Sequence, residues 1–117
     1  MKRGEWGEQM AQRYLQQQGY QVVECNFRTR FGEIDIIARK GKYIVFAEVK
    51  TRRNDRFAAA REYVTAAKQQ RVATAAEQWL QQHPTALQPR FDVIEVYGEE
   101  GDAVPRCVNL LENAFGG

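Results

Sequence analysis

The chain has 117 residues, of which 44% are hydrophobic, 27% charged and 11% aromatic, with a formal net charge of +2. These values are those of an ordinary globular protein, exclude a disordered chain and fit a single domain over residues 1–117 with one core. No apolar run approaches the ~20 residues of a membrane-spanning helix, and Met1-Lys2-Arg3-Gly4-Glu5 lacks the apolar stretch of a secretory signal.

The first predicted element is a helix over Glu5 to Gln18, with Trp6, Met10, Ala11, Tyr14 and Leu15 at helical spacing and Gly19 as its stop. Gln21 to Phe27 has strand composition. Gly32 to Ala38 and Tyr43 to Val49 are two further strands rich in Ile and Val, with Arg39-Lys40-Gly41-Lys42 as the turn between them. Thr51 to Val64 is charged and Ala-rich, and is expected to form a loop. Thr65 caps a second helix reaching Gln82, with Val72, Ala75, Ala76, Trp79 and Leu80 on one stripe. Arg90 to Tyr97 is a fourth strand, Gly98 to Pro105 an acidic loop, and Arg106 to Leu111 a short last strand. The order α-β-β-β-α-β-β predicts an α/β fold, a mixed sheet with helices packed on it.

Cys25 and Cys107 are the only cysteines and form no CxxC, so neither a disulfide framework nor a thiolate zinc site is expected, and a reducing cytoplasm is the expected location. The lone histidine, His83, precedes Pro84 and reads as a cation at a helix end. Trp6 and Trp79 read as core, and Asp92 as structural.

The small net charge hides an asymmetry. Between Arg28 and Arg71 twelve Lys/Arg face five Asp/Glu, a net of +7, and the rest of the chain carries −5. One positive face is the footprint of a polyanion binder. Within that basic stretch, the strands Gly32-Glu33-Ile34-Asp35-Ile36-Ile37-Ala38 and Phe46-Ala47-Glu48-Val49-Lys50 carry acids. A tight hairpin makes paired residue numbers sum to 81, with Asp35 opposite Phe46 and Glu33 opposite Glu48. Alternation then puts Glu33, Asp35, Glu48 and Lys50 on one side of the sheet. Ile34, Ile36, Ala38, Tyr43, Val45, Ala47 and Val49 line the other as core. Asp35 and Glu48 become diagonal neighbours at about 7–8 Å, a range at which two carboxylates share one small cation.

An acid on an apolar, central strand, flanked by a second acid and a lysine, suits a hard divalent cation such as Mg²⁺ (or Mn²⁺), which needs neither His nor Cys. Such a site serves phosphodiester hydrolysis. Lys50 would stabilise charge building on the phosphate, and Arg28, Arg30, Arg52, Arg53 and Arg56 would cover flanking phosphates. Lys68 lies on the apolar stripe of the second helix, where it either snorkels or reaches substrate phosphate.

Asp followed by apolar residues, then Glu48-x-Lys50 on the next strand, resembles the PD-(D/E)XK nuclease superfamily, and the α-β-β-β-α-β order is similar to its restriction-endonuclease-like core. Glu8, Asp35, Glu48 and Lys50 together resemble archaeal-type Holliday junction resolvases. Over nearly its full length the chain is similar to the small bacterial YraN family of endonuclease-like proteins. The matching text is Gly4-Glu5 through Glu8 and Ala11, Gly32 to Ala38, Phe46 to Arg52, Val64-Thr65 to Lys68, Phe91-Asp92-Val93 and Asn113-Ala114-Phe115. The resemblance implies that Asp35 and Glu48 bind metal, that Lys50 assists catalysis and that Glu8 completes the site from the first helix. Ile34 stands where the superfamily has a proline, which removes no ligand. The implied activity is a divalent-metal-dependent, structure-selective DNA endonuclease, with branched or recombination intermediates as implied substrates. A homodimer is the implied assembly, because a junction has two scissile strands. The alternative is a non-catalytic nucleic-acid-binding module on a nuclease scaffold.

Overall fold

The computed structural model describes residues 5–52 and 65–115. Among these, the elements are α1 (Glu5–Gln17), β1 (Gln21–Thr29), β2 (Gly32–Lys40), β3 (Tyr43–Arg52), α2 (Ala66–Gln82), β4 (Gln88–Tyr97) and β5 (Cys107–Leu111). The strands form one five-stranded sheet in the order β1-β2-β3-β4-β5. All neighbours are antiparallel except β3 and β4, which run parallel, Tyr43 beside Gln88 through Arg52 beside Tyr97. A parallel pair needs a crossover, and α2 supplies it.

The expected α/β architecture is therefore the observed one, and its local causes are visible. Gly19 adopts φ 90 after α1, which frees Tyr20 N–H to close on Leu15 O at 2.9 Å. Thr65 caps α2, its Oγ1 accepting from Lys68 N–H at 3.1 Å. The two helices cover opposite faces of the sheet. Trp6, Met10, Ala11 and Leu15 of α1 pack on Ile36, Ala38, Val45, Ala47, Ile94 and Val96. Val72, Ala75, Ala76 and Trp79 of α2 pack on Ile34, Ile37, Ile44, Phe46 and Val93. Phe46 meets Trp79 edge-on at 5.9 Å and Phe91 in a stack at 5.6 Å. With both faces covered, β3 is apolar along Tyr43-Ile44-Val45-Phe46-Ala47 and sits at the centre of the sheet.

Two expectations about the second and third strands are corrected. The observed pairs, Lys40 with Tyr43 through Ile36 with Ala47, sum to 83 rather than 81. Arg39 and Lys40 belong to β2, and the turn is the residue pair Gly41-Lys42, with Gly41 at φ 56. A slip of two residues preserves the faces of β3, so Tyr43, Val45, Ala47 and Val49 do share one side. Ile34 does not join them: it packs under α2, while Ile36 packs under α1. Cys25 and Phe27 of β1 divide in the same way. Between them Asn26 adopts φ 54, a left-handed conformation that asparagine tolerates better than most residues. Asn26 stands opposite Asp35 in the register, between Cys25↔Ile36 and Phe27↔Ile34. Both strands change face at that level, which simple alternation does not foresee.

Other placements agree with the sequence reading. Trp6 and Trp79 are core residues, and each indole N–H is bonded, to Asp102 O at 2.8 Å and Glu24 Oε1 at 3.0 Å. Asp92 is fully buried against Arg90 at 2.8 Å and accepts Asn113 N–H at 2.9 Å. His83 ends α2 stacked on the Trp79 ring at 4.3 Å. Both cysteines are free. Among the described residues no helix is long and apolar enough to cross a membrane. Thr51 and Arg52 extend β3, and the remainder of the expected loop, with Arg53 and Arg56, lies outside the described residues.

Candidate active site where two strands part

The β2–β3 ladder ends at Ile36↔Ala47, although β2 begins at Gly32 and β3 runs on to Arg52. Asp35 and Glu48 are the first residues beyond the last pair. The Val49 N–H, released from the ladder, donates to Asp35 Oδ2 at 2.8 Å. A carboxylate thus takes over a bond that the neighbouring strand would otherwise supply, which fixes Asp35 at the fork.

Glu48 follows Ile44 and Phe46 on the α2 side of β3 and is only 3% exposed. Its Oε1 is shielded from solvent and has no hydrogen-bond partner among the described residues. Lys68 Nζ, from the first turn of α2, stands 3.5 Å from that oxygen. Burial, followed by the charge of Asp35, pushes Glu48 up to about 7 against the opposing pull of Lys68 and Lys50. Asp35 is also raised, first by burial and then by Glu33, while the Val49 N–H, Lys68 and Lys50 hold it down. The charges of Lys50 and Lys68 therefore both reach the Asp35–Glu48 pair. Three of these four were expected together, and α2 adds the fourth.

Glu8 reaches the same region from α1. Asn26 Nδ2 donates to its Oε2 at 3.2 Å. Burial raises its pKa, and Asp35 and Glu33 add to the rise. Among the described residues no three His, Cys, Asp or Glu side chains converge closely enough to hold a metal ion, so Glu8 does not close a three-carboxylate cluster with Asp35 and Glu48 here.

The basic residues divide. Arg28, Arg30 and Lys68 line one groove beside the fork. Arg28 is exposed and pairs with Glu33 at 3.2 Å. Arg52 is half-buried, its Nε and Nη2 shielded from solvent. Sequence reasoning passed over Glu95. It lies beside Lys50 in the parallel register, is 3% exposed, and accepts from the Tyr97 hydroxyl at 3.1 Å. Its only signal was an acid inside the apolar run Val93-Ile94-Glu95-Val96.

Two helices enclosing a mixed sheet in the order αβββαβ, with acids and lysines where two strands fork, define a restriction-endonuclease-like α/β protein. The family model described as Uncharacterised protein family UPF0102 matches residues 7–96. The chain belongs to that family, which is the YraN family that its sequence resembles. It is 48% identical over 114 residues to a UPF0102 protein of Symbiobacterium thermophilum, covering 96% of this chain and 94% of that protein. A UPF0102 protein of Caldicellulosiruptor saccharolyticus is 42% identical over 113 residues, covering 96% and 95%. One of Vibrio parahaemolyticus is 41% identical over 110 residues, covering 92% and 87%.

Proposed function

We propose that this chain is a divalent-metal-dependent, structure-selective DNA endonuclease that hydrolyses phosphodiesters at branched intermediates. The observation that carries this reading is the buried carboxylate pair, Glu48 beside Asp35 at the fork of β2 and β3, with Lys68 Nζ 3.5 Å from Glu48 Oε1. Lys68 Nζ, 3.5 Å from that oxygen, offsets one of the two carboxylate charges, and a divalent cation would offset both.

The donor set fits a hard ion, because it consists of carboxylate oxygens. Asp35 and Glu48 would hold Mg²⁺ or Mn²⁺, and Glu8 would approach from the α1 side. Such an ion supplies Lewis-acid activation of a phosphodiester and of water at neutral pH. The protein's own contribution is positional and electrostatic. The Val49 N–H keeps Asp35 at the fork and lowers the cost of its charge. Lys50 follows Glu48 at strand spacing and stabilises negative charge on the phosphate as it is attacked. Arg28, Arg30 and Lys68 hold neighbouring phosphates and fix the strand's direction.

Single-turnover cleavage of four-way junction, flap and single-stranded DNA, with Mg²⁺ or Mn²⁺, tests the reading on wild type, Glu48→Gln and Lys50→Ala. Metal-dependent cleavage by wild type that is lost in both variants supports it. Cleavage undiminished in both places the chemistry elsewhere. A folded wild type that cuts nothing, with tighter DNA binding in Glu48→Gln, identifies a non-catalytic binding module instead.

A further inference from the structure

The hairpin joining β1 to β2 carries a feature that the proposed hydrolysis does not use. Its tip is Arg30-Phe31, and Phe31 is 49% exposed, one of the few large apolar side chains so placed among the described residues. The turn is firmly built. Thr29 Oγ1 accepts the N–H groups of Phe31 at 3.0 Å and Gly32 at 3.1 Å. Gly32 is seated against α2, where an added Cβ would lie 2.5 Å from Arg71 O. The ring is thus presented on a braced loop, with the Arg30 guanidinium 5.1 Å from its centroid.

Beneath the tip, between the hairpin and the first turns of α2, lies a groove of about 270 Å³. Arg28, Arg30, Lys68 and Arg71 line it, and its one acid, Glu33, is already paired with Arg28. The same Lys68 faces Glu48 at 3.5 Å, so the groove opens onto the fork of β2 and β3. An exposed aromatic ring above a cationic groove is complementary to one ligand class. It fits a nucleic-acid strand whose bases are unstacked, since a duplex offers phosphates but hides its base faces.

We propose that this groove binds a single-stranded nucleic-acid segment, with Phe31 stacking on an unpaired base while Arg30, Lys68 and Arg71 hold the adjoining phosphates. The proposal rests on the nuclease reading and deepens it. It makes the unpaired strand next to the scissile phosphate the feature by which substrate structure is recognised.

Metal-free fluorescence anisotropy at low salt tests it, with a labelled single-stranded DNA 12-mer and the matching duplex as probes. Wild type, Phe31→Ala, Phe31→Tyr and Arg71→Ala are compared after thermal melts show them folded. Phe31→Ala should weaken single-strand binding about 5- to 150-fold, the range spanned by the loss of one stacked base. Phe31→Tyr should retain it, and duplex binding should change little in both. Arg71→Ala should weaken single-strand binding and flatten its log–log salt slope by about 0.7. Wild-type single-strand binding that is undiminished in Phe31→Ala, equal losses on single strand and duplex, or a wild type that binds duplex alone would each overturn this site and leave the fork reading standing. A wild type that binds neither probe would likewise overturn this site, and the fork reading falls only if wild type also fails to cut in the cleavage assay.

Discussion

Lys68 Nζ stands 3.5 Å from Glu48 Oε1, so α2 sets a tethered cation against a carboxylate oxygen of the proposed ion site. The pair lies largely out of water, where a charge partner counts for more than on a surface. Lysine and the proposed metal ion would therefore compete for the same oxygen.

Lys68→Met removes the competitor. Mn²⁺ affinity should rise about fivefold or more, because a like charge near the ion costs at least about 1 kcal/mol at this range. Titration calorimetry above pH 8, where Glu48 is ionised, measures it. Unchanged or weaker affinity would mean that the ion binds away from Glu48.

The metal-free protein should lose stability as pH rises from about 4.5 to about 7. Glu48 is pushed up to about 7 from an ordinary value of 4.5. Between those values the folded state binds the proton and the unfolded state does not, so folding is favoured below the window and disfavoured above it. Asp35 and Glu8 are shifted in the same direction. At ~1.4 kcal/mol per pH unit the Glu48 contribution between pH 5 and pH 8 amounts to roughly 2–3 kcal/mol. Urea unfolding at pH 5 and pH 8 measures the difference, and Glu48→Gln should reduce it by most of that amount.

Asp35→Asn keeps an oxygen for the Val49 N–H and deletes one of two repelling charges. Its melting temperature without metal should be unchanged or slightly higher than wild type at pH 8. The rise that Mg²⁺ or Mn²⁺ gives the wild type by mass action should be absent. Equal metal-induced shifts in the two proteins would remove Asp35 from the ion site.

Lys50→Ala should leave metal affinity largely intact and slow single-turnover cleavage by about 10²–10³, comparable to losing one preorganised donor to a developing anion. Glu48→Gln should abolish metal-dependent cleavage while DNA binding holds or tightens, since it reduces negative charge near phosphate. The two variants thus separate catalysis from binding.

Element order was legible because periodicity and punctuation agreed: the apolar stripe of α1 before Gly19, the Thr65 cap, and the β-rich runs around Gly41. The register was not, because Arg39 and Lys40 read as turn residues by charge, whereas a left-handed Gly41 lets both remain in β2. Asp35, Glu48 and Lys50 were legible as an acidic and basic interruption of core strands. The neighbours that complete the site come from elsewhere in the chain. Lys68 arrives through the docking of α2, Asn26 through a backbone switch, and Glu95 through a parallel pairing. Lys68 stood out on the stripe of its helix and Glu95 as an acid in an apolar run, but the partners they meet leave no trace in local spacing. Phe31 was hidden for another reason: β1 continues to Thr29, two residues past its predicted end at Phe27, and turns what looked like loop into a braced tip.

The parallel alignment of β3 with β4 also sets the order in which the chain can assemble. β1, β2 and β3 are consecutive antiparallel neighbours and can zip by short loop closures, whereas β4 must wait for the entire α2 crossover. Asp35 and Glu48 would then meet on a half-built sheet before Lys68 arrives beside them. At neutral pH that encounter would be repulsive and should slow the step in which it occurs. Stopped-flow refolding should run faster with millimolar Mg²⁺ or with Glu48→Gln, and the acceleration should appear in the folding limb. The carboxylates proposed for catalysis would then also govern how quickly the protein comes into being.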